Sequence, residues 1–534
     1  MAVEPPSLPP LIRAMLRPDF YPHGPVAIDI RQTHISYVLL AGDYVYKIKK
    51  PVRFPFLDYS TLEKRAHYCR EEIRLNRRLA PTVYLDVLTI VHDGERFALR
   101  DSPSAIEKLF EYTVKMRRLP EQYFLDRLVQ EEKARMTDFD RIVAKLANFY
   151  VTSATDRASF YGSPEGIRPN LEKNIGEIEP FIGETIGLDE FRRIRDYQFN
   201  FFTDHCDLLK ARVRDGRVSE GHGDLRAEHI CLEDDPVIFD CIEFSEEFRY
   251  CDTASEIAFL AMDLDYLGVP MLSDYFVTTF QNFTKDPDLS RLLPWYKTYR
   301  ACVRGKVETL KGRESEVPEE DRLEAKRRAR RYFQLAHRYA SGPCPAAMIV
   351  VCGLPGSGKS TIARILGAQT RYQILNSDVV RKQLAGIPLT THFTAEYGKG
   401  LYSESFNART YDFLLKQAED CLKAGKGVIV DATFKDSQHR RQFVEMSSRL
   451  GLPVLFVECQ ADEEKILERL RNREQQPGRV SDATVEVYLR QREEFVPLTE
   501  IPESIRMIVN SEDEPEEAAG KVLNFLRRTL PVSE

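Results

Sequence analysis

Residues 353–361 read GLPGSGKST, and no other nine residues restrict this chain as much. The spacing GxxxxGK[ST] is complete: Gly353, Gly356, Ser357, Gly358, Lys359, Ser360 and Thr361 all fall in place. Glycines let the backbone turn tightly, so that successive N–H groups surround phosphate oxygens. Lys359 is then placed for the terminal phosphates of a nucleotide, and Ser360 for Mg²⁺. The flanks agree with this. MIVVC precedes the loop as an apolar strand, and STIARILGAQ follows as an apolar-periodic helix whose N-terminus adds its dipole and free N–H groups.

A strand, such a loop and a helix make the first unit of an α/β domain. The rest of the C-terminal sequence continues the alternation. AMIVVCG, YQILN, GVIVDA, PVLFVEC and RMIVNS are short apolar strands separated by amphipathic stretches. That order predicts a doubly wound parallel sheet covered on both faces, with the domain running over 346–534. SGPCP (341–345) is a turn-rich joint ahead of it.

Further residues give this half a chemistry. LNSDVVRKQL puts Asp378 just after the second strand and Arg381 one helical turn later. A carboxylate there can take a proton from an attacking hydroxyl; it can equally cap its helix, and the two roles are compatible. Arg381 can hold an acceptor or its phosphate. GVIVDATF ends a third strand on Asp431, placed to hold Mg²⁺ through water. Arg469, Arg473 and Arg479 precede a new helix and read as a lid that brings positive charge to a moving phosphoryl group. No second acid follows Asp431 to activate water, which argues against a motor ATPase.

These pieces resemble the small-kinase branch of P-loop proteins: polynucleotide 5′-hydroxyl kinase, gluconate kinase, chloramphenicol phosphotransferase and the zeta-toxin group. The resemblance covers about 346–530. It implies Asp378 as general base and Arg473 as a lid residue.

The N-terminal half carries a second signature, HGDLRAEH (222–229). Protein kinases place an Asp base in such a loop, an Asn five residues later for Mg²⁺, and a second metal-binding Asp after the next hairpin. Here Asp224 stands first, and Asp240 follows the hairpin HICL/VIFD. Upstream, YVYKIKK ends a strand on Lys47 in the pattern of V-A-I-K, with Lys49 as a competitor for the same role. The helix TLEKRAHYCREEIRLNRRLA (61–80) offers Glu72 or Glu71 as its partner. Lys49 and Lys50 read as solvated, and His222 as a brace for the loop. The expected architecture is an α+β, protein-kinase-like bilobal domain over 1–340, its N-lobe about 25–115 and its C-lobe about 116–340.

This half resembles the aminoglycoside phosphotransferase group of kinase-like enzymes, over about 25–310. That group's loop usually reads HGDxxxxN. The whole chain resembles bacterial two-domain proteins described as bifunctional aminoglycoside phosphotransferase/ATP-binding proteins. One departure matters: position 229 is His. Mg²⁺ prefers oxygen ligands, whereas imidazole suits Zn²⁺, Cu²⁺ or Ni²⁺ better. Two readings of this half therefore stand: a second active kinase, or a degenerate nucleotide-binding module that regulates the P-loop half.

Composition bounds the partners. The 534 residues suit two or three domains, and the net charge of −7 disfavours bulk nucleic-acid binding without excluding a 5′-hydroxyl polynucleotide substrate. The N-terminus lacks the basic and apolar regions of a signal peptide, and no apolar run approaches ~20 residues. Ten cysteines without a CxxC pair read as reduced thiols. The expectation is a cytoplasmic phosphotransferase using ATP and Mg²⁺ on an unidentified hydroxyl-bearing substrate, with no membrane partner.

Overall fold

The chain divides after Ser341 into two units, Met1–Ser341 and Gly342–Glu534. The computed structural model describes residues 8–54, 57–103, 108–153, 158–314, 317–342, 344–388, 400–474, 483–512 and 514–529.

The N-terminal unit opens with an antiparallel sheet. Its strands are β1 (Ile28–Gln32), β2 (Ser36–Ala41), β3 (Tyr44–Lys49), β4 (Tyr84–His92), β5 (Phe97–Arg100) and β6 (Lys108–Arg117). They lie in the order β1-β2-β3-β6-β4-β5. A hairpin joins β2 to β3 through Gly42, whose φ of +62° suits glycine. The ten-residue β6 went unread in the sequence, yet it is central: Lys47 pairs with Val114, and Thr89 with Tyr112. Its charged residues alternate with Tyr112, Val114 and Met116, so no apolar run announces it.

The helix α1 (Leu62–Asn76) packs on one face of this sheet, with Thr61 accepting the Lys64 N–H as its cap, and Leu11, Ile12 and Met15 of the N-terminal segment pack on the other. Cys69 and Ile73 of α1 share a buried cluster with Val45, Val114 and Met116. The remainder of the unit is mostly helical. Here α2 (Met136–Thr152), α3 (Leu188–Asp204), α4 (Thr253–Tyr266), α5 (Leu289–Lys311) and α6 (Glu319–Ala340) contribute to one large core. Buried on all sides, α4 is its centre, as its run of Ile, Ala, Phe, Leu and Met requires. A two-stranded hairpin, β7 (Ile230–Cys231) and β8 (Val237–Ile238), follows the 222–229 loop.

In the C-terminal unit β9 (Met348–Cys352), β10 (Gln373–Asn376), β11 (Val428–Asp431), β12 (Val454–Gln460) and β13 (Arg506–Asn510) form one parallel sheet, ordered β10-β11-β9-β12-β13. Alternate residues of each strand serve opposite faces. Met348, Val350, Val428, Val430 and Phe456 meet α9 (Glu404–Lys423) and α10 (Ser437–Leu450). Ile349, Val351, Ile429, Leu455 and Val457 meet α7 (Lys359–Thr370) and α12 (Pro515–Thr529). Both faces are thus covered, which explains why the strands read as unbroken apolar runs. Along the chain, α8 (Ser377–Ala385) follows β10 and α11 (Glu463–Glu474) follows β12. Among the described residues no helix is long and apolar enough to cross a membrane.

Candidate functional site

The loop 353–358 leaves the C-terminal end of β9 and delivers Lys359 to the start of α7. Gly353 and Gly358 have φ of +134° and +86°. A Cβ on Gly353 would stand 2.5 Å from the Cys459 carbonyl oxygen, so glycine is required there by space as well as by backbone. Lys359 Nζ donates to the Leu354 carbonyl at 2.8 Å across the loop, and burial lowers its pKa. Ser357 is buried, and among the described residues its hydroxyl meets no partner.

Neighbouring strands bring carboxylates to the same end of the sheet. Asp431 pairs in register with Val351 of β9 and Asn376 of β10. Its carboxylate accepts from Asn376 Nδ2 at 2.7 Å and from the Ser360 hydroxyl. Burial raises its pKa against the opposing pull of Lys359. Asn376 Oδ1 caps α8 by accepting the N–H groups of Asp378 and Val379. Asn376, not Asp378, is therefore the helix cap, which leaves the Asp378 carboxylate for Arg381, at 2.8 Å. Arg381 is buried, donates a second time to Asn407 Oδ1 at 2.9 Å, and lies over the Tyr402 ring. Asn376, Asn407 and Tyr402 had no motif to mark them.

Beside the loop is a cavity of about 380 Å³ lined by Gly356, Gly358, Thr361, Arg469, Arg473 and Ser511, among others. Arg469 is committed to the fold, donating to Ser511 Oγ and to the Ser511 carbonyl, both at 2.8 Å. Arg473 lines the cavity. Arg479 lies outside the described residues.

In the N-terminal unit, Lys47 Nζ bridges Glu72 Oε1 and Asp240 Oδ1, each at 2.8 Å. Glu71 instead pairs with Arg74 on the surface of α1. Burial alone would lower the Lys47 pKa; Asp240 and Glu72 outweigh it and hold the ammonium well above its ordinary value. The expectation of a solvated Lys49 does not hold. Lys49 is 1% exposed and contacts Glu72 Oε2 at 2.6 Å, Glu243 Oε1, and the Tyr59 hydroxyl at 3.3 Å. Alternation along β3 puts positions 47 and 49 on one face, and that face looks onto α1 and the segment after β8.

Asp240 follows β8 with φ of +63°, and Tyr84 accepts its N–H. The loop carrying Asp224 is held from beneath: buried Glu256 of α4 accepts the N–H groups of His222 and Gly223, at 2.6 and 3.0 Å. His222 Nε2 donates to the Phe239 carbonyl at 2.8 Å. Arg226 forks onto Asp224, Nε to Oδ1 and Nη2 to Oδ2, both 3.0 Å. Burial would raise the Asp224 pKa, but Arg226 and His229 hold it well below the carboxylate range. His229 Nδ1 bonds the Asp224 carbonyl oxygen at 2.8 Å. A carbonyl only accepts, so Nδ1 carries the hydrogen, and Nε2 faces Arg226 at 3.4 Å and Asp240 Oδ2 at 3.8 Å.

The C-terminal unit is thus a P-loop α/β nucleotide-binding domain by its sheet, its loop and the acid beside the loop's serine. Residues 348–498 match the AAA domain family. Solved structures similar to parts of the chain include an unliganded sugar kinase from Janibacter (19% identity, 34% of this chain and 95% of that one, TM-score 0.26). Another is a gluconokinase from Sinorhizobium meliloti (18%, 35% and 94%, TM-score 0.26). Uncharacterized proteins of Mycobacterium bovis and Mycobacterium tuberculosis are 31% identical over 462 residues, covering 86% of this chain and 88% of theirs. The chain belongs to the family of these mycobacterial proteins.

Proposed function

We propose that the protein is an ATP-dependent phosphotransferase whose chemistry resides in the C-terminal unit, moving the γ-phosphate of ATP to a hydroxyl of a small molecule. The observation that carries this reading is the convergence, at one end of three adjacent parallel strands, of Lys359 and Ser360, Asp431, and the Asp378–Arg381 pair. Ligands of open α/β sheets bind at this end. The cavity of about 380 Å³ lined by Arg469 and Arg473 suits a nucleoside.

Asp431 and Ser360 are oxygen donors of the kind Mg²⁺ prefers, and a buried carboxylate with a raised pKa gains from a cation. When bound there, the ion would neutralise phosphate charge. The protein's own groups do the rest. Lys359 turns from the Leu354 carbonyl to the terminal phosphates. Asp378 takes the proton of the attacking hydroxyl while the new O–P bond forms and the bond from the γ-phosphorus to the β–γ bridging oxygen breaks, so that ADP leaves. Asp378 must first loosen from Arg381, and the freed guanidinium then supports the moving phosphoryl group. Arg473 adds charge from the cavity side.

For the N-terminal unit we infer a second nucleotide site, with Lys47, paired to Glu72, on ATP, Asp240 Oδ2 as the oxygen donor left for a metal, and Asp224 as the base position. One observation favours slow or absent turnover there: the Arg226 fork occupies both oxygens of Asp224. The nitrogen of His229 also fits Mg²⁺ poorly. This supports a regulatory reading of the unit.

The test is transfer from γ-labelled ATP to a pool of small hydroxyl compounds. Lys359→Ala should lose labelled product at least 100-fold, while Asp224→Ala keeps it. Retention of label by Lys359→Ala would sink the assignment.

A further inference from the structure

Three residues after Asp431 the backbone takes a costly shape. Phe434 is buried, yet its φ is +49°, in the left-handed region that an aromatic residue seldom adopts. A residue stays there only where its surroundings impose the conformation, and such residues cluster at functional sites.

The groups that impose it are on neighbouring helices. The Tyr411 hydroxyl of α9 accepts the Phe434 N–H at 2.9 Å. Arg440 of α10, itself buried, donates through Nη1 to the Phe434 carbonyl at 2.7 Å. The Phe434 ring meets Tyr411 and Phe443 edge-on, with centroids 5.2 and 5.1 Å away. Tyr411 is fixed in turn. His439 lies flat on its ring, 4.0 Å between centroids and 15° between planes, and Asp436 holds His439 Nδ1 at 2.9 Å.

The consequence lies upstream, at the phosphate loop. The pairing of β11 with β9 runs on past both strand ends. Ala432 N–H donates to the Val351 carbonyl at 3.2 Å, and Gly353 N–H donates to the Thr433 carbonyl at 3.3 Å. Gly353 opens the loop that ends on Lys359. The turn at Phe434 therefore points the Thr433 carbonyl at the loop and keeps Asp431 beside Ser360. Were Phe434 to relax to an ordinary extended backbone, the Thr433 carbonyl would swing off Gly353 and the end of β11 would fray.

We propose that Tyr411 is a positioning residue for the phosphate site: its hydroxyl holds Phe434 left-handed, and through Thr433 this fixes Asp431 against the loop, where it serves metal and nucleotide together. Arg440 secures the same turn from the carbonyl side. This inference rests on the phosphotransfer reading of the C-terminal unit.

The test reads binding, not turnover. ATP affinity is measured by calorimetry on the full chain, once with Mg²⁺ and once with EDTA, in a Lys47→Met background that silences the N-terminal site. In this parent Mg²⁺ should tighten ATP binding. Tyr411→Phe keeps the ring and its stacking and removes only the acceptor oxygen. It should lose about tenfold of the gain from Mg²⁺, while its affinity for metal-free ATP stays within about twofold. Tyr372→Phe is the comparison. Its hydroxyl donates to the Pro345 carbonyl ahead of β9, at the other end of the sheet, so the variant gives up a buried tyrosine hydrogen bond in the same unit and should keep the whole gain. An undiminished gain in Tyr411→Phe overturns the proposal. So does an equal loss in Tyr372→Phe, or a fall in Tyr411→Phe that is the same with and without the metal. A parent chain that binds no ATP under either condition overturns the phosphotransfer reading itself, and this proposal with it.

Discussion

Two half-buried lysines illustrate how differently one residue type is used. Lys359 is lowered by burial and held in waiting by a single carbonyl, so its charge is available to incoming phosphates. Its loss should cost about 10²–10³ in turnover, the usual effect of removing one electrostatic donor from a transition state. Lys47 is raised by the carboxylates that flank it, which hold its ammonium in place. His222 gives the residue-scale prediction for pH. It is fully buried, and burial lowers its pKa from 6.5 to about 4. Between those values the unfolded chain binds the proton and the folded chain does not. Stability therefore rises with pH across the window and is lost as pH falls from 6.5 through about 4. The full swing amounts to about 3 kcal/mol. Urea denaturation of the N-terminal unit at several pH values should show that slope, and His222→Gln should flatten it.

At the scale of elements, β3, α1 and the segment after β8 are joined by the pair Lys47 and Lys49 facing Glu72, Asp240 and Glu243. Lys49 has the buried half of this arrangement. Lys49→Met takes the lysine from Glu243, leaves Glu72 with Lys47 alone, and should destabilise the unit by about 3–5 kcal/mol. Adding Glu243→Gln to that variant should recover part of the loss, because a buried charge without a partner costs more than a neutral pair. A denaturant series on the single and double variants measures both. The same elements mark how far the sequence can be read. The loop around Lys359 is local: nine consecutive residues and their flanking periods contain the whole signal, and all five strands of the C-terminal sheet stand out as apolar runs. Lys49 looked solvated because its partners are 23 and 194 positions away. β6 was missed because a strand paired on both sides can still carry polar residues.

At the scale of the whole molecule, each unit has its own core. The large helical cluster ends at Ala340, and the two clusters flanking the parallel sheet begin at Cys344 and draw only on later residues. Units that bury their apolar surface separately should unfold separately. Calorimetry of the full chain is therefore expected to resolve two transitions, and a fragment starting at Gly342 should reproduce one of them. ATP with Mg²⁺ then distinguishes the two. A ligand that binds only the folded form stabilises it by RT ln(1 + [L]/Kd), about 2.7 kcal/mol at a hundredfold excess over Kd. The transition shared with the fragment should move up by the corresponding amount, and Lys359→Ala should abolish that movement while leaving the other transition in place. Any shift of the second transition that survives in Lys359→Ala and disappears in Lys47→Met reports nucleotide held by the N-terminal unit. That outcome would separate binding from turnover there, because Asp224 can remain locked to Arg226 while Lys47, positioned by Glu72, still grips phosphate.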